Sequence, residues 1–224
     1  MTQLARPDLA RSRSGRVHLR AGPPVPGWVI GTAALGPAVL VVGWLIAGAL
    51  QPSSYHPMRD TISVLAGYTG TDRWVMTAAL LLVGGFQVAT GAGLTAVRLP
   101  ARLLLIVTGL STLGIAATPE LATGPTSRHL AFAVSCVVTT AVWPVLVARR
   151  APAPSWIVSV YGAAAMTLVF AGLSSWLLIA AQTAAGDLGL AERLTSAVQA
   201  LFPLVVALAL RRAARANGQP GQAG

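Results

Sequence analysis

Apolar residues in this chain fall into six long runs separated by short polar breaks: Gly27 to Leu50, Trp74 to Val97, Leu103 to Thr118, Leu130 to Ala148, Trp156 to Gln182 and Leu194 to Leu210. Crossing a hydrocarbon core about 30 Å thick takes about 20 apolar residues in a helix. All six runs come near or above that length, the third and sixth being the shortest. Backbone amides in lipid must find partners within their own segment, so isolated apolar runs of this length span as helices. The pattern predicts an all-α integral membrane bundle of six transmembrane helices over residues 27–210. Before it lies an Arg-rich tail, 1–26, and after it a polar tail, 211–224, both expected to be disordered.

The breaks between the runs are mostly short. The longer ones join odd to even spans and therefore share one face of the membrane. In the first of them, "SSYHPMRDTISVLAG", Asp60 is a candidate N-cap and Gly67 a candidate stop for a short helix lying in the interface. Within the spans, Gly27 and Gly31 form a GxxxG pair, and Gly84, Gly85, Gly91 and Gly93 cluster in the second. Such small residues let helix backbones approach closely, within the bundle or in a homodimer. Pro37, Pro144 and Pro203 fall inside spans and predict kinks or freed carbonyls. Trp28, Trp74, Trp156 and Tyr55 lie near span ends, where the aromatic belt sits.

Composition sharpens this picture. Hydrophobic residues make up 54% and charged residues 10% of the 224 positions, which leaves no room for a separate soluble domain of ordinary size. The net charge of +10 comes entirely from arginine, with no lysine. Only Arg59, Arg73, Arg128 and Arg193 fall in the odd-to-even connections; the other twelve of sixteen lie in the tails and the opposite turns. That bias places both termini in the cytoplasm and the protein in the cell membrane. The charge serves orientation and contact with anionic lipid rather than nucleic-acid binding. The one cysteine, Cys136, excludes an intrachain disulfide.

No Asp, Glu, Arg or His lies deep within a span, which argues against a pump built on a midplane carboxylate. The ionisable side chains gather instead in the three odd-to-even connections. His56, Arg59, Asp60, Asp72 and Arg73 are in the first, Glu120, Arg128 and His129 in the second, and Asp187, Glu192 and Arg193 in the third. Three readings stay open. Arginines there could clamp a phosphate or carboxylate headgroup, making a lipid or other amphiphile the ligand. His56, Asp60, Glu120 and His129 could hold zinc for a membrane-embedded hydrolase, although their spacing matches no standard metal motif and the sequence calls for no cofactor. The bundle could also be a structural subunit packed on another membrane protein, with its charges as half-exposed pairs such as Arg193 with Glu192.

Four blocks in order, "RDTISVLAG", "DRWVMTAALLLVGG", "RHLAFA" and "GLAERL", resemble domain-of-unknown-function family 998, small multi-span membrane proteins of bacteria and archaea. The resemblance runs from about Gly27 to Leu210. It implies a helical membrane fold and matches Asp60, Ile62, Ser63, Arg73, Trp74, His129 and Arg193 to the family pattern, but it brings no reaction, ligand or cofactor. From it and from the topology, Asp60, Ser63, Arg73, His129 and Arg193 form the candidate ligand-binding cluster. The loop from Ser53 to Gly67 is then expected to act as a lid, anchored by Asp60 to Arg73 or Arg193 and lined by His129.

Overall fold

Pro26 enters α1, Gly27–Ala49, in extended geometry, and the helix continues through Pro37 because an uninterrupted apolar sequence leaves its amides no partner but each other. This computed structural model describes residues 24–150, 153–183 and 186–217; most of the expected tails at 1–26 and 211–224 lies outside these. After α1 come the short α2, Ile62–Ala66, and then α3, Trp74–Gly93, α4, Leu99–Ala117, and α5, Ser127–Val147. A single 3-10 turn, Trp156–Val158, leads into α6, Val160–Gln182, and the last helix is α7, Leu188–Asn217. Six of these helices are long and apolar enough to cross a membrane, so the chain is a multi-pass membrane protein.

Helix ends depart from the apolar runs where polar chemistry decides. The second span stops at Gly93 rather than Val97, because Arg102 reaches back to the carbonyls of Gly91 and Ala92 and closes the helix. The third begins at Leu99, ahead of its apolar run, with Pro100 in a first-turn position where its missing N–H costs nothing. The last helix starts at Leu188 and runs through Arg211, Arg212 and Arg215 to Asn217, past the Leu210 boundary.

The spanning helices form a closed ring in which α1 touches α3, α3 touches α4, and so on through α5, α6 and α7 back to α1. Inside it, Phe202 meets Trp143 and Phe170 edge-on at 5.6 and 5.3 Å, contacts worth about 0.5–1.5 kcal/mol each beyond area burial. Outside it, Leu45, Leu82, Leu110, Val134 and Leu168 are exposed, as lipid contact requires. Several polar groups within the spans pair across helices. Thr108 bonds Thr139 at 2.8 Å, Ser111 bonds Ser135 at 2.8 Å, Thr112 bonds Gln87 at 2.9 Å and Thr140 bonds Gln199 at 2.7 Å. Each such bond contributes about 0.6 kcal/mol on average.

Small residues permit close approach at Gly84, Gly91 and Gly93 but not at every expected position. A Cβ on Gly109 would sit 2.7 Å from the Gly84 carbonyl, so α3 and α4 meet backbone to backbone. Gly31 and Gly85, by contrast, have nothing within 4 Å of their would-be Cβ atoms, so neither brings another helix backbone close. Both ends of the described chain reach the same end of the ring, since Gly27 lies against the Arg211 guanidinium. The opposite end carries α2 and the connections that contain the ionisable residues.

Candidate functional site

Residues 50–61 cross this end as a lid whose turns close on themselves. The carbonyl of His56 accepts the amides of Arg59 and Asp60 at 2.9 and 2.8 Å, and the Asp60 carboxylate accepts the His56 N–H at 2.7 Å. Arg59 Nε donates to the same carboxylate at 3.0 Å. Partial burial works to raise the Asp60 pKa, but these hydrogen bonds and the Arg59 charge outweigh it and hold the carboxyl below its ordinary value. Asp60 therefore faces backward into the lid and is not the N-cap of α2. Thr61 takes that place, its hydroxyl accepting the Val64 amide at 3.2 Å, while Gly67 ends the helix as expected. Arg73 lies apart, its guanidinium over the Tyr68 ring at 4.7 Å and bonded to the Ala66 carbonyl, so it does not anchor Asp60.

The lid is fastened to the start of α7. Leu190 and Gly189 donate their amides to the carbonyls of Met58 and Arg59 at 2.9 and 3.2 Å. A Cβ on Gly189 would lie 2.4 Å from the Asp60 carbonyl, so only glycine admits this contact. One turn on, Arg193 Nη1 donates to the carbonyls of Pro57, Asp60 and Gly189 at 2.6, 2.8 and 2.9 Å, and Nη2 donates to the Tyr55 hydroxyl. Arg193 thus anchors the lid through the Asp60 backbone rather than its carboxylate. Among the described residues no carboxylate oxygen comes within 4.0 Å of this guanidinium.

Beside it opens a cavity of about 440 Å³. One wall is apolar, made by Trp44, Leu45 and Gly48 of α1; the other is polar, with Ser53, Tyr55 and Arg193. The Gln51 amide group fixes the rim by bonding the Thr71 amide and carbonyl, both at 3.0 Å. Burial pushes the Tyr55 pKa up and the nearby Arg193 charge pulls against it, so the phenol stays neutral. An apolar wall facing a cation and a hydroxyl is the arrangement that an amphiphile with an anionic head would complement.

A second cluster lies on the inner side of α2. His129, buried at 3% exposure in the first turn of α5, points Nδ1 at the Thr118 carbonyl, 2.7 Å away, and Nε2 at Ser63 Oγ, 3.2 Å away. Ser63 Oγ also lies 3.3 Å from Glu192 Oε1, and the other Glu192 oxygen accepts the Ile62 amide. Glu120 Oε1 is 3.5 Å from His129 Nε2. Burial raises the Glu120 pKa, partly offset by the His129 charge. All three connections converge here, with the Tyr68 amide bonded to the Glu120 carbonyl at 2.9 Å.

The candidate residues therefore sort into two groups. Ser63 and His129 touch each other, Asp60 and Arg193 meet through a carbonyl, and Arg73 joins neither pair. The four residues weighed as metal ligands are divided, His56 and Asp60 in the lid and Glu120 and His129 beneath it. Among the described residues no group of three or more His, Cys, Asp or Glu side chains is arranged to hold a metal ion. Sequence reasoning missed Tyr55, taken as a belt residue, and Glu192, taken as the partner of Arg193. Helical spacing over "GLAERL" puts Gly189 and Arg193 on the lid-facing side of α7, a signal that was available.

No curated protein and no solved structure matches the chain. A family model does, and it runs from within α1 into α7, taking in the lid and both clusters. On that match over residues 34–209, the chain belongs to the family described as protein of unknown function DUF998.

Proposed function

We propose that this protein recognises an amphiphile with a phosphate or carboxylate headgroup at the extracytoplasmic face of the plasma membrane, its termini being cytoplasmic. The arginine bias supports the orientation: twelve of sixteen lie in the tails and the turns opposite the lid. The recognition reading is carried by one observation, the cavity in which Arg193, with no carboxylate oxygen within 4.0 Å among the described residues, faces the apolar wall of α1. A chain or ring system would lie along Trp44 and Leu45, and the anionic head would take the guanidinium edge left free by the lid carbonyls. Membrane lipids are then both solvent and the first class of ligand to test.

Purification in mild detergent, followed by lipid extraction and mass spectrometry, tests this. Ala49 lines the cavity and is exposed, so Ala49→Trp fills the space without disturbing the core. The wild type should retain an anionic lipid in stoichiometric amount and Ala49→Trp should lose it. Equal retention by both, or none by either, overturns the reading.

A further inference from the structure

We propose that Ser63 and His129 form a nucleophile–base pair that cleaves a carboxylic ester by acyl transfer to water. The argument begins with the proton on the ring. A carbonyl can only accept, so the 2.7 Å contact between Thr118 O and Nδ1 places the proton of the neutral imidazole on Nδ1. The Nε2 lone pair is left facing Ser63 Oγ at 3.2 Å, within the reach of a general base. Hydroxyl, base and orienting group stand in sequence, the relation that activates a serine on unrelated folds. Here the orienter is the C-cap carbonyl of α4, one of the helix-end carbonyls with no intrahelical partner. That end carries the negative pole of the helix dipole and stabilises the imidazolium formed when the proton moves.

Two carboxylates face this pair. Glu120, 3.5 Å from Nε2, favours the imidazolium after proton transfer. Glu192, 3.3 Å from Ser63 Oγ and tied to the Ile62 amide, holds the hydroxyl in place at rest and competes for its proton. In the reaction Oγ attacks the acyl carbon as its proton passes to Nε2. The tetrahedral adduct then collapses, the ester C–O bond breaks, and the alcohol leaves with the proton from Nε2. Water attacks the acyl-serine in the same way, giving the carboxylic acid and restoring the hydroxyl. Ser63 is half-buried rather than sealed, and it lies at the lid end of the bundle, beyond the spanning helices. The pair does not depend on the Arg193 cavity, and the two can be tested separately.

The test is labelling of the detergent-solubilised full chain with a fluorescent fluorophosphonate, with the modified peptide located by mass spectrometry. The wild type should label at Ser63, whose Oγ faces Nε2 of His129. Ser63→Ala should abolish the label and His129→Gln should slow it about a hundredfold. Ala49→Trp, which alters only the cavity, should label normally. Thermal unfolding of each variant separates loss of chemistry from loss of fold, and Ser63→Ala removes one hydroxyl in any case. A positive result is extended by comparing a short soluble ester with a diacyl lipid in micelles, which distinguishes a soluble from a membrane source. Folded wild type that stays unlabelled, or label carried equally by Ser63→Ala, overturns the proposal.

Discussion

Both ends of the bundle use arginine to hold backbone carbonyls, yet with opposite consequences. At the end that carries the first and last described residues, Arg102 binds the last carbonyls of α3, and Arg149 binds that of Ala96. Burial and the neighbouring Arg98 charge push the Arg149 pKa down. These carbonyls belong to helix ends and the turns beside them, so the cations complete the scaffold and help close α3 where its apolar run would have continued. At the lid end Arg193 binds carbonyls of a loop, and its remaining edge borders a cavity. The same guanidinium–carbonyl chemistry terminates a helix in one place and fastens a loop beside a cavity in the other. What differs is whether the acceptors could have been satisfied without the cation.

If that contrast is sound, the largest effect belongs to Arg193→Gln. Several carbonyls and the Tyr55 hydroxyl lose a charged donor, and hydrogen bonds of that kind are worth about 1.5–3 kcal/mol each where water does not replace them. Hydrogen exchange over residues 51–61 should accelerate roughly a hundredfold and co-purified anionic lipid should disappear. Protection elsewhere should change little. Global unfolding instead of local lid release would erase the distinction between the two ends. The matching change at the other end, Arg102→Gln, should lower stability by about 1–2 kcal/mol, because exposed helix-end carbonyls turn to water. It should leave both lipid retention and lid exchange unaltered. Lipid loss in Arg102→Gln would show that the ends are coupled rather than independent.

How far this was legible in the sequence follows the same division. Apolar length and backbone satisfaction dictated six helices, and the charges that interrupt them marked the connections that meet around the lid. Boundaries slipped where a distant side chain closed a helix, as Arg102 does for α3, since no local propensity encodes that reach. In the lid, Asp60 and Thr61 are both good caps by type; the choice went to Thr61 because the Asp60 carboxylate found the His56 amide and Arg59 first. Glu192 looked like half of a local pair with Arg193. It turned instead to the Ile62 amide, while Arg193 turned to the lid, because adjacent residues on a helix project in different directions. The role of the Thr118 carbonyl had no sequence signal at all, being a backbone group placed by the end of α4.

Acid titration sharpens the comparison within the lid end itself. Asp60 has a depressed pKa in the fold, so its contribution is present above the unfolded value of 3.8 and is lost as pH falls through the lower folded value. Glu120 has a raised pKa, because burial disfavours its charge more than His129 favours it. The folded state then binds that proton more tightly than the unfolded state. Stability therefore declines as pH rises from the unfolded value of 4.5 through the folded one. Unfolding measured against pH should separate the two variants. Asp60→Asn should lose its deficit relative to wild type on the acid side, and Glu120→Gln should gain an advantage as pH rises above 4.5. Parallel differences for both variants would mean that the lid and the cluster beneath it titrate as one unit.

The smallest effect, and the most discriminating, is Tyr55→Phe. The hydroxyl accepts one hydrogen bond from Arg193 Nη2, while the ring stays packed against Gly48. Burial keeps the phenol neutral, so the substitution removes no charge and creates no cavity. Losing one such bond should cost about 1 kcal/mol, since Nη2 faces the cavity and can turn to water. Retention of anionic lipid should weaken severalfold, less than the near-complete loss predicted for Arg193→Gln. A full loss of retention with normal lid exchange would make the hydroxyl itself the headgroup contact and reduce Arg193 to a fastener, as its counterparts are at the other end. No change in retention would leave the guanidinium as the sole polar contact. Either departure would say which of the two groups at this end escapes the scaffold role.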